Sequence, residues 1–219
     1  NAYPKGDDSI SALSGIVRSR TVSAISLARL TFSTADGIFS TLFAIYAAYD
    51  LSIAPPLISL LFTLRGVTNT IVRLPAGKIS DKVGRKKPII ISYTLSIVVY
   101  ILLSEARGFP LLALAMALEG LAWGARAVTE WALLGDVAPK STSGVVMSYL
   151  STVFEVGEGL GAMLAGALST TLPTNAIFKV ASAILVAGTI PVGLIRIPHK
   201  TQAGTASEAV ASDRCSLTD

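Results

Sequence analysis

Apolar runs of membrane-spanning length alternate along this chain with short polar turns, and the pattern predicts six long helices. A bilayer core asks for about 20 mostly apolar residues per helix, and six stretches have that length. The first runs from about Val22 to Ala48, followed by a turn with Asp50 and Pro55-Pro56. Two prolines suit the opening of the second helix, where the missing N–H costs nothing, and that helix reaches about Ile79. The third spans Pro88 to Ser104, the fourth about Leu111 to Leu134, the fifth Gly144 to Thr171 and the sixth about Asn175 to Ile197. Residues 1–21 read as a polar linker, with a mildly amphipathic patch at Ile10, Leu13, Ile16 and Val17. Residues 199–219 read as a polar, disordered cytoplasmic tail.

Charges inside these runs are expensive. One at mid-helix costs about 2.5–3.5 kcal/mol, against about 0.3–0.6 returned by each Leu. Yet they recur at helical spacing, so each set shares a face. Arg29, Ser33, Asp36 and Ser40 mark the first helix, and Arg65, Asn69, Arg73 and Gly77 the second. Glu119, Trp123, Arg126 and Glu130 mark the fourth; Ser148, Ser151, Glu155, Glu158 and Ala162 mark the fifth. The third helix has no charge between Pro88 and Leu103, and the sixth none between Val180 and Ile195. The simplest arrangement sets helices three and six against lipid and the other four around a wet cavity. Asp36, Arg65, Arg126 and Glu155 then lie nearest the midplane. The competing reading is a set of buried structural ion pairs, such as Arg126 with Glu130 one turn on. Intramembrane charges more often mark a substrate or proton pathway. The candidates for it are Asp36, Arg65, Asn69, Glu119, Arg126, Glu155 and Glu158. Gly157 and Gly161, a G-x-x-x-G pair, predict close approach of another helix.

Composition narrows the class. Charged residues make up 15% of the 219, against roughly 25% in a soluble domain. The net charge of +4 gathers in short turns without an aromatic-studded basic face, which argues against nucleic acid. One cysteine, Cys215, and one histidine, His199, exclude an internal disulfide and offer no metal set or cofactor site. Without H-E-x-x-H or paired histidines, an enzyme has no support.

The densest charge lies in Gly77 to Lys87, GKISDKVGRKK, between two apolar runs. A basic turn of this kind stays in the cytoplasm. Arg18, Arg20, Lys140, Arg196 and Lys200 fall on the same side, against Arg107 and Lys179 opposite. This predicts a multi-pass protein of the cell membrane with both termini cytoplasmic. Gly77, Asp81, Lys82, Gly84, Arg85, Lys86 and Lys87 match G-x-x-x-D-[RK]-x-G-[RK]-[RK]-[RK]. The stretch resembles the signature loop of the major facilitator superfamily of transporters, which follows the second helix of a six-helix half. Gly120, Gly124, Asp136, Pro139 and Gly144 add a weaker match.

The resemblance implies an all-α integral membrane six-helix bundle, half of a twelve-helix fold with its substrate site between halves. It implies that Gly77 to Lys87 is a gating loop, with Asp81 meeting the other half. It also implies secondary active transport of a small solute by alternating access, with protons a candidate coupling ion. The partners implied are that solute, the lipid bilayer, and a missing first half or a dimeric partner. The opening on a linker without methionine reads as the C-terminal half. Three positions depart from the family pattern. Met116 and Ser143 stand where an arginine is usual, and Thr170-Thr171 where glycine-proline completes an antiporter motif. The competing function is a membrane scaffold or sensor that keeps the fold and moves nothing.

Overall fold

The computed structural model describes residues 20–137 and 143–194. Among them six helices form: α1 (Arg20–Ile45), α2 (Pro55–Val83), α3 (Lys86–Ser104), α4 (Phe109–Val137), α5 (Ser143–Ser169) and α6 (Thr174–Leu194). Most of the 1–21 linker, the 199–219 tail, Pro139 and the counted charges Arg18, Lys140, Arg196 and Lys200 lie outside the described residues. The helix count agrees with the hydrophobic pattern, but several ends do not. A π-helical turn, Tyr46–Asp50, carries α1 two residues past Ala48. The fourth helix runs straight through Gly135, which the pattern placed in a loop. A lone helical glycine costs only about 1 kcal/mol, and packing overrides it.

The largest correction concerns Gly77 to Lys87. It is not a loop with a glycine at each bend: α2 continues to Val83 and α3 begins at Lys86. Gly77 is an ordinary helical residue, and the reversal rests on Gly84, at φ 87°, ψ 156°. Only glycine holds that region without strain, at a penalty of about 1–3 kcal/mol for other residues. A Cβ on Gly84 would meet nothing within 4 Å, so the strain lies in the backbone alone. Gly84→Ala is therefore expected to destabilise the protein by about 1–3 kcal/mol, whereas Gly77→Ala, with Val128 Cγ1 at 3.5 Å, changes little. Thermal midpoints in detergent compare the two; equal midpoints would refute this account of the turn.

Around the bundle the helices follow the order α5, α1, α6, α3, α4, α2. Each touches its neighbours in that arc, so α2 and α5 close its two ends with one principal neighbour apiece. Every residue of α1 from Phe32 to Phe39 is buried. Tyrosines of α3 seal its back: Tyr93 stacks edge-on to Phe32 at 5.4 Å and donates to the Ala28 carbonyl at 2.6 Å. Tyr100 stacks on Phe39 at 5.9 Å. The outer face of α3 shows Ile90, Ile91, Val98 and Ile101, a surface suited to lipid. On the far side of the bundle, Lys179 of α6 pairs with Glu105 at 2.9 Å. The hydrogen bond and charge of Lys179 hold the Glu105 carboxyl below its ordinary value.

Of these helices α2, α3, α4 and α6 are long and apolar enough to cross a membrane. α1 and α5 have the length with a less apolar composition. The reason differs between them. α1 is wrapped by protein and carries its charges inward, while α5 carries glycines, an exposed Glu155 and a half-buried Glu158.

Candidate functional site

Two charge clusters sit in the interior, where α4 faces α1 and α2. In the first, Arg65 of α2 holds Glu119 of α4 by a two-pronged contact, Nε to Oε2 and Nη2 to Oε1. The same Nη2 donates to Asp36 Oδ1 of α1 at 3.2 Å. Fork-to-carboxylate pairing of this kind fixes geometry as well as charge. The Phe39 ring lies 5.0 Å from the guanidinium. Asp36 and Glu119 are buried, and Arg65 is 21% exposed at its side chain. The cluster holds two carboxylates and one cation.

The second cluster inverts that ratio. Glu130 of α4 accepts from Arg126 one turn back, and its other oxygen lies 3.2 Å from Arg29 Nη1 of α1. Aromatic rings enclose both cations. Arg126 is 3.8 Å from the Phe32 ring centre, and Arg29 is 4.8 Å from Trp131 and 5.5 Å from Phe154. Trp123 has Arg126 at 5.8 Å and the exposed Arg73 at 5.9 Å. Each of these contacts is within cation–π range.

Glycines set both crossings. A Cβ on Gly120 would strike the Arg65 carbonyl and Thr68, and one on Gly124 the Asn69 carbonyl, so α2 lies directly on α4. A Cβ on Gly37 would strike the Glu158 carbonyl, and one on Gly161 the Thr34 carbonyl, so α1 and α5 meet backbone to backbone. The close approach expected of Gly157 and Gly161 is present, with α1 as the partner. It brings Glu158 within electrostatic reach of Asp36 and Arg65.

The predicted stripes therefore separate. Asp36, Arg65, Glu119 and Arg126 are drawn into ion pairs in this half, because an unpaired charge here would be far costlier. Asn69 is half-buried, and its Oδ1 accepts from Arg73 Nε at 3.0 Å. Glu155 is exposed and, among the described residues, forms no ion pair. Glu158 is half-buried beside the first cluster. The periodicity singled out Arg29 and Glu130 as stripe members but not as site residues. The place of Arg29 seven residues before Asp36, and of Glu130 four residues after Arg126, was the available signal. Nothing marked Phe32, Trp131 or Phe154.

At the α2–α3 turn, Arg85 is the joint. It pairs with Asp81, donates to Ser80 Oγ at 3.0 Å, and reaches Asp136 Oδ2 of α4 at 3.1 Å. Burial opposes its charge, but the Asp136 and Asp81 hydrogen bonds more than offset that and hold it above its ordinary value. Lys86 donates to the Gly193 carbonyl near the end of α6, a cation at a helix C-terminus. Lys82 and Lys87 are exposed. Asp81 is 65% exposed at its side chain. Among the described residues no group of three or more His, Cys, Asp or Glu could hold a metal ion.

Comparison with known proteins follows this geometry. Two Mycobacterium tuberculosis proteins, the uncharacterized MFS-type transporters MT1926 (strain CDC 1551 / Oshkosh) and Rv1877 (strain ATCC 25618 / H37Rv), are each 33% identical to the chain over 103 residues. That match spans 47% of this chain and 15% of each relative. The Major Facilitator Superfamily profile matches residues 25–214, which takes in all six helices from the start of the α1 core onward. This multi-pass membrane protein belongs to the Major Facilitator Superfamily.

Proposed function

We propose that the chain is one six-helix half of a secondary transporter that moves a small solute by alternating access. The observation that carries this reading is the pair of buried, unequally balanced charge clusters on α1, α2 and α4. A bundle built only to stand in lipid gains nothing from them, since apolar residues of similar volume serve as well or better. The acid-rich cluster suits a proton: two carboxylates share one guanidinium, and Glu158 adds a third acid nearby. Asp36 and Glu119 are the coupling candidates, with Asn69, Glu155 and Glu158 along the route to them. The Gly77 to Lys87 segment is the gating element, through the Arg85 link between the α2–α3 turn and α4.

The ends of the arc support a second half. α2 exposes Leu57, Leu60, Val67, Ile71 and Leu74, and α5 exposes Val156, Leu160, Met163 and Leu164. A partner half, or a second copy, covers these faces and encloses Glu155 and Arg73, which lipid would not solvate. The basic α2–α3 turn supports a cytoplasmic position for that end of the bundle and for both termini.

One observation favours the scaffold or sensor reading: Arg65 is already fully engaged by two acids, as in a structural ion pair. Flux separates the two. In proteoliposomes of the intact protein, Asp36→Asn and Glu119→Gln are expected to lower pH-gradient-driven transport at least roughly tenfold, the scale of a proton-transfer group. Unchanged transport with unchanged pH dependence would remove the coupling assignment, and no flux of any solute by the parent would favour the scaffold.

A further inference from the structure

We propose that Arg29 and Arg126 form the anion-recognising subsite of this half, and that the solute is a small organic anion with an aromatic or apolar body. This rests on the transport reading and specifies its substrate class. The two arginines differ from Arg65 in one respect that decides the matter. Arg65 has two carboxylates to itself, so an incoming anion meets a net negative cluster. Arg29 and Arg126 share one contacting carboxylate, Glu130, so two cations meet one acid, and Asp36 and Glu119 act on Arg126 only from beyond contact. Arg29 is 5% exposed and Arg126 2%, yet the Nε of each has no hydrogen-bond partner among the described residues. Arg29 Nη1 approaches Glu130 without the alignment of a hydrogen bond. Buried guanidinium donors left open in this way cost far more than exposed ones, and a bound carboxylate would satisfy them and the surplus charge together.

The walls suit the rest of such a molecule. Phe32, Trp131 and Phe154 present ring faces to the two cations. Trp131 is 37% exposed and Phe154 half-buried. They stand on α4 and α5, helices that barely touch each other. A ligand entering between α4 and α5 displaces these two rings and finds the open N–H groups behind them. A cation has no place here, and a neutral solute leaves the charge unmatched.

Benzoate, benzamide and benzylammonium make a matched set of probes with one ring and three charges. With the purified full-length protein, benzoate is expected to raise the thermal midpoint and bind at millimolar concentration or below, and the other two are not. Arg29→Lys and Arg126→Lys keep the charge but lose the fork, and each should weaken benzoate roughly tenfold or more. Glu130→Gln removes the competing acid and should tighten it. Should these variants fail to fold, the parent's discrimination among the three probes stands by itself. Equal binding of benzoate and benzamide by the parent, or weaker benzoate binding in Glu130→Gln, overturns the subsite. Transport of neutral or cationic solutes with no preference for anions overturns it too, while leaving the transporter reading intact. Benzoate binding through Arg29 without flux of any solute overturns the transporter reading and keeps the subsite.

Discussion

Arg65→Leu is expected to be the most damaging single substitution in the bundle. It removes the one cation that, among the described residues, contacts Asp36 and Glu119, and it leaves two buried carboxylates side by side. Breaking a buried pair from one side costs about 3–5 kcal/mol, because the remaining charge stays desolvated. Here two charges remain. The triple variant Arg65→Leu, Asp36→Val, Glu119→Leu replaces the three charges together by apolar side chains and should recover most of that loss, since an apolar core of similar volume is about as stable as a buried ion pair. Thermal midpoints of the purified full-length protein test this, with Arg73→Leu as the control: Arg73 is exposed, and among the described residues it meets no acid, only Asn69 Oδ1 one turn away and the Trp123 ring at 5.9 Å. An Arg65→Leu protein as stable as its parent would mean that water reaches the two acids and that the cluster is not dry.

That cluster also shows how far the sequence could be read. Six apolar stretches, and charges repeating along four of them, were legible because a misplaced charge in a bilayer is too costly to occur by chance. The periodicity placed Asp36, Arg65 and Glu119 on inward faces. It could not say that the three meet, because spacing along one helix defines a face and says nothing of which helix lies opposite. The i+4 partner of Arg126 was visible for the same reason that the Arg29–Glu130 contact was not. The helix ends were misread where glycine was taken as a break. Gly135 is helical, the second helix runs four residues past Ile79, and Gly84 turns the chain there, at a positive φ that no sequence pattern reports. The family resemblance rested on this same stretch, and its residues were correctly singled out although their local form was not.

One signal was present and unused: both acids of the first cluster are followed directly by a glycine, Asp36-Gly37 and Glu119-Gly120. In each case the glycine removes the side chain that would hold the neighbouring helix off, α5 at Gly37 and α2 at Gly120. The acid and the crossing that satisfies or flanks it are thus specified together. The sharpest test lies on α5, where glycines two residues apart meet opposite surroundings. A Cβ on Gly161 would run into the Thr34 carbonyl and lie 2.9 Å from Gly37 Cα, backbone that no rotamer change can move. A Cβ on Gly159 would meet nothing within 4 Å. Gly161→Ala is therefore expected to destabilise by about 1–3 kcal/mol, the usual range for overpacking. Gly159→Ala should be neutral or stabilise by up to about 1 kcal/mol through restricting the unfolded chain. Because Gly161 also fixes how close Glu158 comes to Asp36, Gly161→Ala should lower pH-driven flux along with the thermal midpoint, and Gly159→Ala should leave both in place. Two alanine variants with the same midpoint would show that α1 and α5 slide to relieve the contact. The backbone crossing would then not be what holds Glu158 beside the acid-rich cluster.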